Sequence, residues 1–272
     1  MVVKDGNPVG EGPVTYGEYL HLDKLLDAQH PRSDAHDELL FIIQHQTSEL
    51  WMRQAIHELT SVRRAVQQGH LSESFKTLAR LSRIFDQLNS AWDVLRTMTP
   101  ADYTHFRSTL TTASGFQSYQ YRMIEFIFGN RNIKMMKSHE HSPDIYAALA
   151  GELDQPSLYD EVICLLFQKL DGDAAEIPNL PRDKPHAPIP EVQAKWKFVY
   201  QNIDQHWQLY ELAEKLIDLE DYFRRWRFNH LTTVERVIGF KRGTGGTSGV
   251  SYLSKMLSVE LFPELWHVRG EL

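Results

Sequence analysis

From about Asp37 to Gln68 the chain reads as one long helix, closed by Gly69. A second is expected from roughly Ser72 to Met98, where Leu78, Leu81, Ile84, Phe85, Leu88, Trp92 and Leu95 recur at helical spacing. Between Glu191 and Lys241 almost every residue favours helix. That stretch is too long for one uncapped globular helix, so a break is expected near Asn202–Asp204. There is no repeated period and no convincing alternation of strand type. The fold class is therefore all-α, a multi-helix bundle.

Shorter elements fill the rest. From Tyr16, the residues Tyr19, Leu20, Leu22, Leu25 and Leu26 form one apolar stripe, which "HPRSDAHD" breaks. Thr99-Pro100 is a cap followed by a first-turn proline, and it opens a helix carrying Tyr103, Phe106 and Arg107. Ser114–Phe128 is a further helix, stopped by Gly129-Asn130. Residues 131–156 look like shorter helical pieces, and Leu158–Leu170 is another apolar helix. The proline-bearing stretch 171–190 is the clearest loop, and two short helices follow "GTGGTSG" to the end. Residues 1–14 are expected to be poorly ordered, and 15–272 to form one helical domain.

A chain of 272 residues with 42% apolar and 24% charged residues has material for a sizeable core. Its net charge of −7 argues against a general nucleic-acid binder, because phosphate contacts need clustered Lys and Arg. The single cysteine, Cys164, excludes an intrachain disulfide, a zinc ribbon and covalent c-type haem attachment. The opening "MVVKDGNPVGEGPV" lacks the apolar stretch of a secretory signal, and no run approaches the ~18 apolar residues of a membrane span. A soluble cytoplasmic protein with no membrane or nucleic-acid partner is expected.

The chemistry-bearing residues sit on these helices. In "FIIQHQTSELW", residues 41–51, Phe41, Ile42 and Ile43 read as core, and Leu50 and Trp51 resume the theme. His45 interrupts it, sharing a helix face with Phe41, Ser48 and Glu49. It reads as a core histidine with a satisfied ring, a haem-pocket base or a metal ligand. His230 lies on an aromatic stripe of its own, with Phe223, Trp226, Arg227, Val234 and Val237 on its face. Two such imidazoles facing each other across a helical core would suit a haem, one ligating iron and one over the open side. Two unrelated core histidines fit the pattern equally well.

Tyr103 and Arg107 stack four residues apart, as a carboxylate clamp or as a surface arginine packing its stem over a tyrosine. The glycines of "GFKRGTGGTSGV", 239–250, match neither a Walker loop nor a dinucleotide fingerprint. They permit close backbone approach to a ligand, or serve as a bare connector. His57 lacks the second histidine of a zinc protease. Glu38, Glu49 and Glu58 lack the Glu-x-x-His pairs of a di-iron bundle. His139 and His141, in "SHEHSPD", are expected in a solvated turn.

Four strings, "TYGEYLHLDKLL", "FIIQHQTSELW", "SGFQSYQYRMIEF" and "WRFNHLTTVERVIGFKRGTGGTSGV", resemble the bacterial tryptophan 2,3-dioxygenases. The likeness runs from about Thr15 to Arg269 and is weakest over 131–190. It implies an all-helical homotetramer that binds haem b without covalent attachment. It also implies that L-tryptophan and O₂ are converted to N-formyl-L-kynurenine. By motif, His230 corresponds to the axial iron ligand and His45 to the distal base beside the indole N–H. Phe41 belongs to the indole pocket, and Tyr103 and Arg107 to the carboxylate clamp. Thr244 corresponds to the loop residue that meets the amino-acid end of the substrate. Tyr16, Tyr19 and Leu20 match an N-terminal helix that closes a neighbouring subunit's site, and Tyr121 matches that same site. Trp92 and Ser114 match pocket positions. Indoleamine dioxygenases lack the distal histidine, so His45 points to the tryptophan-specific branch.

Overall fold

In the computed structural model the described residues are 13–171, 180–241, 243, 244, 246 and 248–272. The chain start before Pro13, residues 172–179 of the proline-bearing loop, and Arg242, Gly245 and Thr247 lie outside them.

Among the described residues every regular element is helical. In order they are α1 (Tyr16–Leu20), α2 (Leu22–Leu26), α3 (His36–Gln67), α4 (Leu71–Leu95), α5 (Pro100–Arg107) and α6 (Tyr119–Phe128). They continue with α7 (Pro143–Leu153), α8 (Leu158–Asp171), α9 (Pro190–Gln201), α10 (Trp207–Val237), α11 (Val250–Met256) and α12 (Pro263–His267). Single 3₁₀ turns at Ser108–Leu110 and Gly115–Gln117 join α5 to α6, and a longer one spans Ile133–His139.

Three long helices carry the site. α4 packs along both α3 and α10, and α6 and α8 close over α3. Helical spacing puts Leu59, Val62 and Val66 on one face of α3, and Leu78, Leu81, Phe85 and Leu88 on one face of α4. Leu212, Leu216, Leu219 and Phe223 do the same for α10, and all of these are buried in one cluster. At about 1.5–3 kcal/mol for each large apolar side chain, this seam is the main force holding the three helices together.

The punctuation follows local chemistry. Thr99 caps α5 in a reciprocal box with Asp102, and Pro100 takes the first helical position, where its missing N–H costs nothing. Gly129 ends α6 at φ 110°, and a Cβ there would lie 2.6 Å from Cε1 of His186. The expected break between α9 and α10 falls at 202–206. Asn202 turns its amide back to the Phe198 carbonyl at 2.8 Å.

Two expectations of burial need correction, and one stripe is left uncovered. Ile43, Leu50 and Trp51 are 43%, 50% and 40% exposed, so they are not core. The face of α3 that packs on α4, α6 and α8 is the opposite one. The stripe of α1 and α2 has no buried residue, and Tyr16 and Tyr19 stand out from this chain. His139 is buried although its string is polar, because Ile133–His139 folds back under α6 and α7, while His141 is exposed as expected. In addition, the region read as one helix from Ser114 opens with a 3₁₀ turn, and α6 starts only at Tyr119, behind the cap Ser118.

Candidate active site

One deep cavity opens between α3, α4, α5, α6 and α10, roofed by the glycine loop and α11. It encloses about 1600 Å³ of atom-free space, part of it open to solvent. Nine of the twelve residues singled out by sequence line it: Phe41, His45, Trp92, Tyr103, Arg107, Ser114, Tyr121, His230 and Thr244.

α3 supplies the first wall. The Nδ1 of His45 lies 2.7 Å from the Phe41 carbonyl, one turn back on the same helix. The Phe41 ring stands 4.2 Å from the imidazole, centroid to centroid. It also packs on Phe106 at 5.4 Å and on Tyr103 at 6.1 Å, both from α5. Burial drives the pKa of His45 down, against the Phe41 carbonyl and the Glu49 carboxylate, which pull it up.

α5 supplies the polar end. Tyr103 is 4% exposed and Arg107 half-buried, and both line the cavity. Burial raises the phenol's pKa, and the hydrogen-bonded guanidinium of Arg107 pulls it back. The pair therefore offers a charged fork and a hydroxyl at one rim of an apolar chamber.

α10 supplies another wall. The His230 ring is stacked on Trp92 of α4 at 5.0 Å and 15°, and tilted against Trp226 at 5.4 Å. Its pKa is pushed down to about 4 by burial, with His45 across the cavity adding to the shift. No described residue hydrogen-bonds its ring. The Nε1 atoms of Trp92 and Trp226 are likewise buried without an acceptor.

Beside this wall lies a buried charge cluster that the sequence reading did not identify. Glu125 of α6 is fully buried and accepts from Arg227 at 3.0 Å, from the Tyr121 hydroxyl at 3.2 Å, and from Arg122. Arg227 also donates to the Tyr121 hydroxyl at 3.3 Å, and burial raises that phenol's pKa. Two guanidiniums share one carboxylate, and the Nε of Arg122 is buried without a partner. The sequence held one signal: Glu125 sits inside the apolar run "MIEFIF", where a carboxylate needs buried cations.

The glycine loop docks on the turn after α5. Thr244 Oγ1 donates to the Ala113 carbonyl at 2.6 Å, and Thr111 takes φ 49° to form that turn. Gly249 sits at φ 58°, where a Cβ would meet the Lys241 carbonyl oxygen at 2.9 Å. Ser114 caps the next turn by accepting from the Phe116 N–H at 3.3 Å. Tyr16, Tyr19 and Leu20 do not reach this chain's cavity.

Fold and site together define an all-helical protein built around one chamber, which two imidazoles, His45 and His230, both line. A family model described as tryptophan 2,3-dioxygenase matches residues 3–157 and 193–272. A tryptophan 2,3-dioxygenase from Ruegeria sp. (strain TM1040) is 66% identical over 270 residues, 99% of this chain and 97% of the relative. Proteins of the same description from Ruegeria pomeroyi and Bradyrhizobium diazoefficiens are 63% and 59% identical. They cover 95% and 99% of this chain, and 93% and 99% of the relatives. The chain belongs to the tryptophan 2,3-dioxygenase family.

Proposed function

We propose that this chain is a haem-dependent dioxygenase. It would insert both atoms of O₂ across the C2–C3 bond of the L-tryptophan indole to give N-formyl-L-kynurenine, the first step of tryptophan breakdown by the kynurenine route. The observation that supports this reading is that His45 and His230, 185 positions apart (230 − 45), line one cavity together with Arg107 and Tyr103.

The residues fit the group. Burial keeps His230 neutral at physiological pH, so one ring nitrogen carries the lone pair an axial ligand requires. The partnerless Nε1 atoms of Trp92 and Trp226 and the Nε of Arg122 are polar atoms a bound group would satisfy. The second, uncompensated guanidinium suits an acidic cofactor such as haem b. The one cysteine lies on α8 and does not line the cavity, in keeping with non-covalent binding. When bound in the ferrous state, the haem supplies the activation of O₂.

The chain's own residues orient the substrate. A carbonyl can only accept, so the contact with Phe41 places the proton of neutral His45 on Nδ1 and leaves Nε2 as a lone-pair acceptor. That lone pair would take the indole N–H and fix the ring's register above the reacting centre. Phe41 and Phe106 wall the aromatic slot. Arg107 and Tyr103 would bind the α-carboxylate, and Thr244 would exchange its bond to Ala113 for one to the amino-acid end. Closing the loop then excludes water from the chamber.

Exposed Tyr16, Tyr19 and Leu20 support a homotetramer in which α1 covers a neighbour's site, which Tyr121 would share. Residues 15–272 are read as one domain, working in the cytoplasm. Among the described residues no helix is long and apolar enough to cross a membrane.

The test is to load the chain with haem, reduce it, and supply tryptophan under ¹⁸O₂. A Soret band and a formylkynurenine carrying two heavy oxygens are expected. A bound haem without turnover would make the protein an oxygen carrier or sensor, and no Soret band would end the haem reading.

A further inference from the structure

Metal-bound histidines almost always donate their second ring nitrogen to a carboxylate, a carbonyl or water, and that bond sets the ring's orientation. No described residue offers His230 such a partner. Its position is then set in part by its backbone and by what stacks on it. Both are supplied by one face of α4. Trp92 lies nearly parallel to the His230 ring. One turn further along, Arg96, at the C-cap of α4, grips the turn of α10 that carries His230. Its Nε donates to Thr233 Oγ1 at 2.9 Å. Its Nη2 donates to the Asn229 carbonyl at 3.3 Å, to Asn229 Oδ1 at 3.2 Å, and to Thr232 Oγ1. One turn before Trp92, Asn89 accepts from Asn229 Nδ2 at 2.9 Å and donates to the Tyr222 carbonyl at 3.0 Å. Arg236 closes the set by donating to the backbone carbonyl of Arg96 at 3.2 Å.

We infer that Arg96 is a positioning residue for His230, holding residues 229–233 of α10 and with them the backbone that aims the ring. The inference rests on His230 as the axial ligand. A single guanidinium reaching four acceptors on both flanks of one residue fixes rotation of the helix about its axis as well as its translation. Packing of apolar side chains alone does not do this, since it has no directional preference. The charge of Arg96 is met only distantly, by Asp93 at 3.8 Å on the same helix, so the fork is committed to α10.

The experiment has two arms, each comparing Arg96→Met with wild type and with Arg225→Met, which removes an exposed ion pair to Asp221 on the outer side of α10. In the haem-free chain, amide exchange over 229–234 should quicken by about tenfold in Arg96→Met, equivalent to ~1.4 kcal/mol of local protection, and stay unchanged in Arg225→Met. In the haem-loaded ferrous protein, the iron–imidazole stretching band should broaden or shift, and haem release to a scavenger should quicken several-fold. Arg96→Lys keeps the charge but not the fork, so it should fall between the two, as should Thr232→Val, which removes one acceptor and tests the contact without deleting the cation. A wild-type band that Arg96→Met leaves untouched, with unchanged exchange, overturns the inference alone. Haem-loaded wild type with no iron–imidazole band overturns the ligand role beneath it.

Discussion

Nδ1 of His45 is held 2.7 Å from the carbonyl oxygen of Phe41, and in the neutral ring this contact leaves Nε2 as the acceptor. His45→Ala should therefore retain haem but lose turnover by about a hundredfold to a thousandfold, the range for removing one preorganised hydrogen-bonding group. Indole-N-methyl-tryptophan gives the sharper check. Wild type should discriminate against it, and His45→Ala should lose most of that discrimination in kcat/KM. Equal discrimination in both would make His45 a core residue.

His230→Gly should bind haem poorly, and added imidazole should restore the Soret band, because the space left matches the missing ring. A spectrum identical to wild type would remove its ligand role.

Arg107→Ala should raise KM for tryptophan by about a hundredfold, since ~3 kcal/mol is typical for leaving one partner of a buried charge pair alone. Haem content should not change. Arg107→Lys should recover only part of the loss, because an ammonium lacks the fork that matches two carboxylate oxygens. Tryptamine, without a carboxylate, should gain nothing from Arg107, so a mutant that loses tryptophan and tryptamine turnover equally would dispose of the clamp.

Thr244→Val keeps the shape of the side chain and removes its bond to Ala113. Amide protection over 108–115 should fall without substrate, and KM should rise more than kcat falls. Protection and kinetics like those of wild type would separate the loop from substrate capture.

The haem-free chain should lose stability in mild acid. His45, His139, His186 and His230 all have pKa values pressed below 6.5 by burial, His230 to about 4. Below pH 6.5 the unfolded chain binds protons that the folded chain refuses, so stability falls with pH, for His230 down to about pH 4. The urea midpoint should drop steadily across that interval and level off above pH 7. A flat profile from 7 to 5 would show that these rings are open to water.

Much of the helix plan was legible. The cap at Thr99, the stop at Gly129 and the break before Trp207 each rest on chemistry within a few residues. The faces of α3 were less so. Ile43, Leu50 and Trp51 are as apolar as Leu59, and only the positions of α4, α6 and α8 leave them uncovered. The same holds for His139, whose polar neighbours hide a buried ring. Glu125 and its two arginines were missed because a buried carboxylate is recognisable only once its partners, on α6 itself and on α10, are in place.

The sequence by itself determined that this chain is helical and which family its motif strings belong to, because periodicity, caps and motif strings are local properties. That His45 and His230, 185 positions apart (230 − 45), share one cavity was decided only by tertiary structure. So was the alignment of Trp92 and Arg96 with the turn that bears His230. The physical reason is that non-directional apolar packing brings α3, α4 and α10 together, and the long-range hydrogen bonds between them then fix which residues meet.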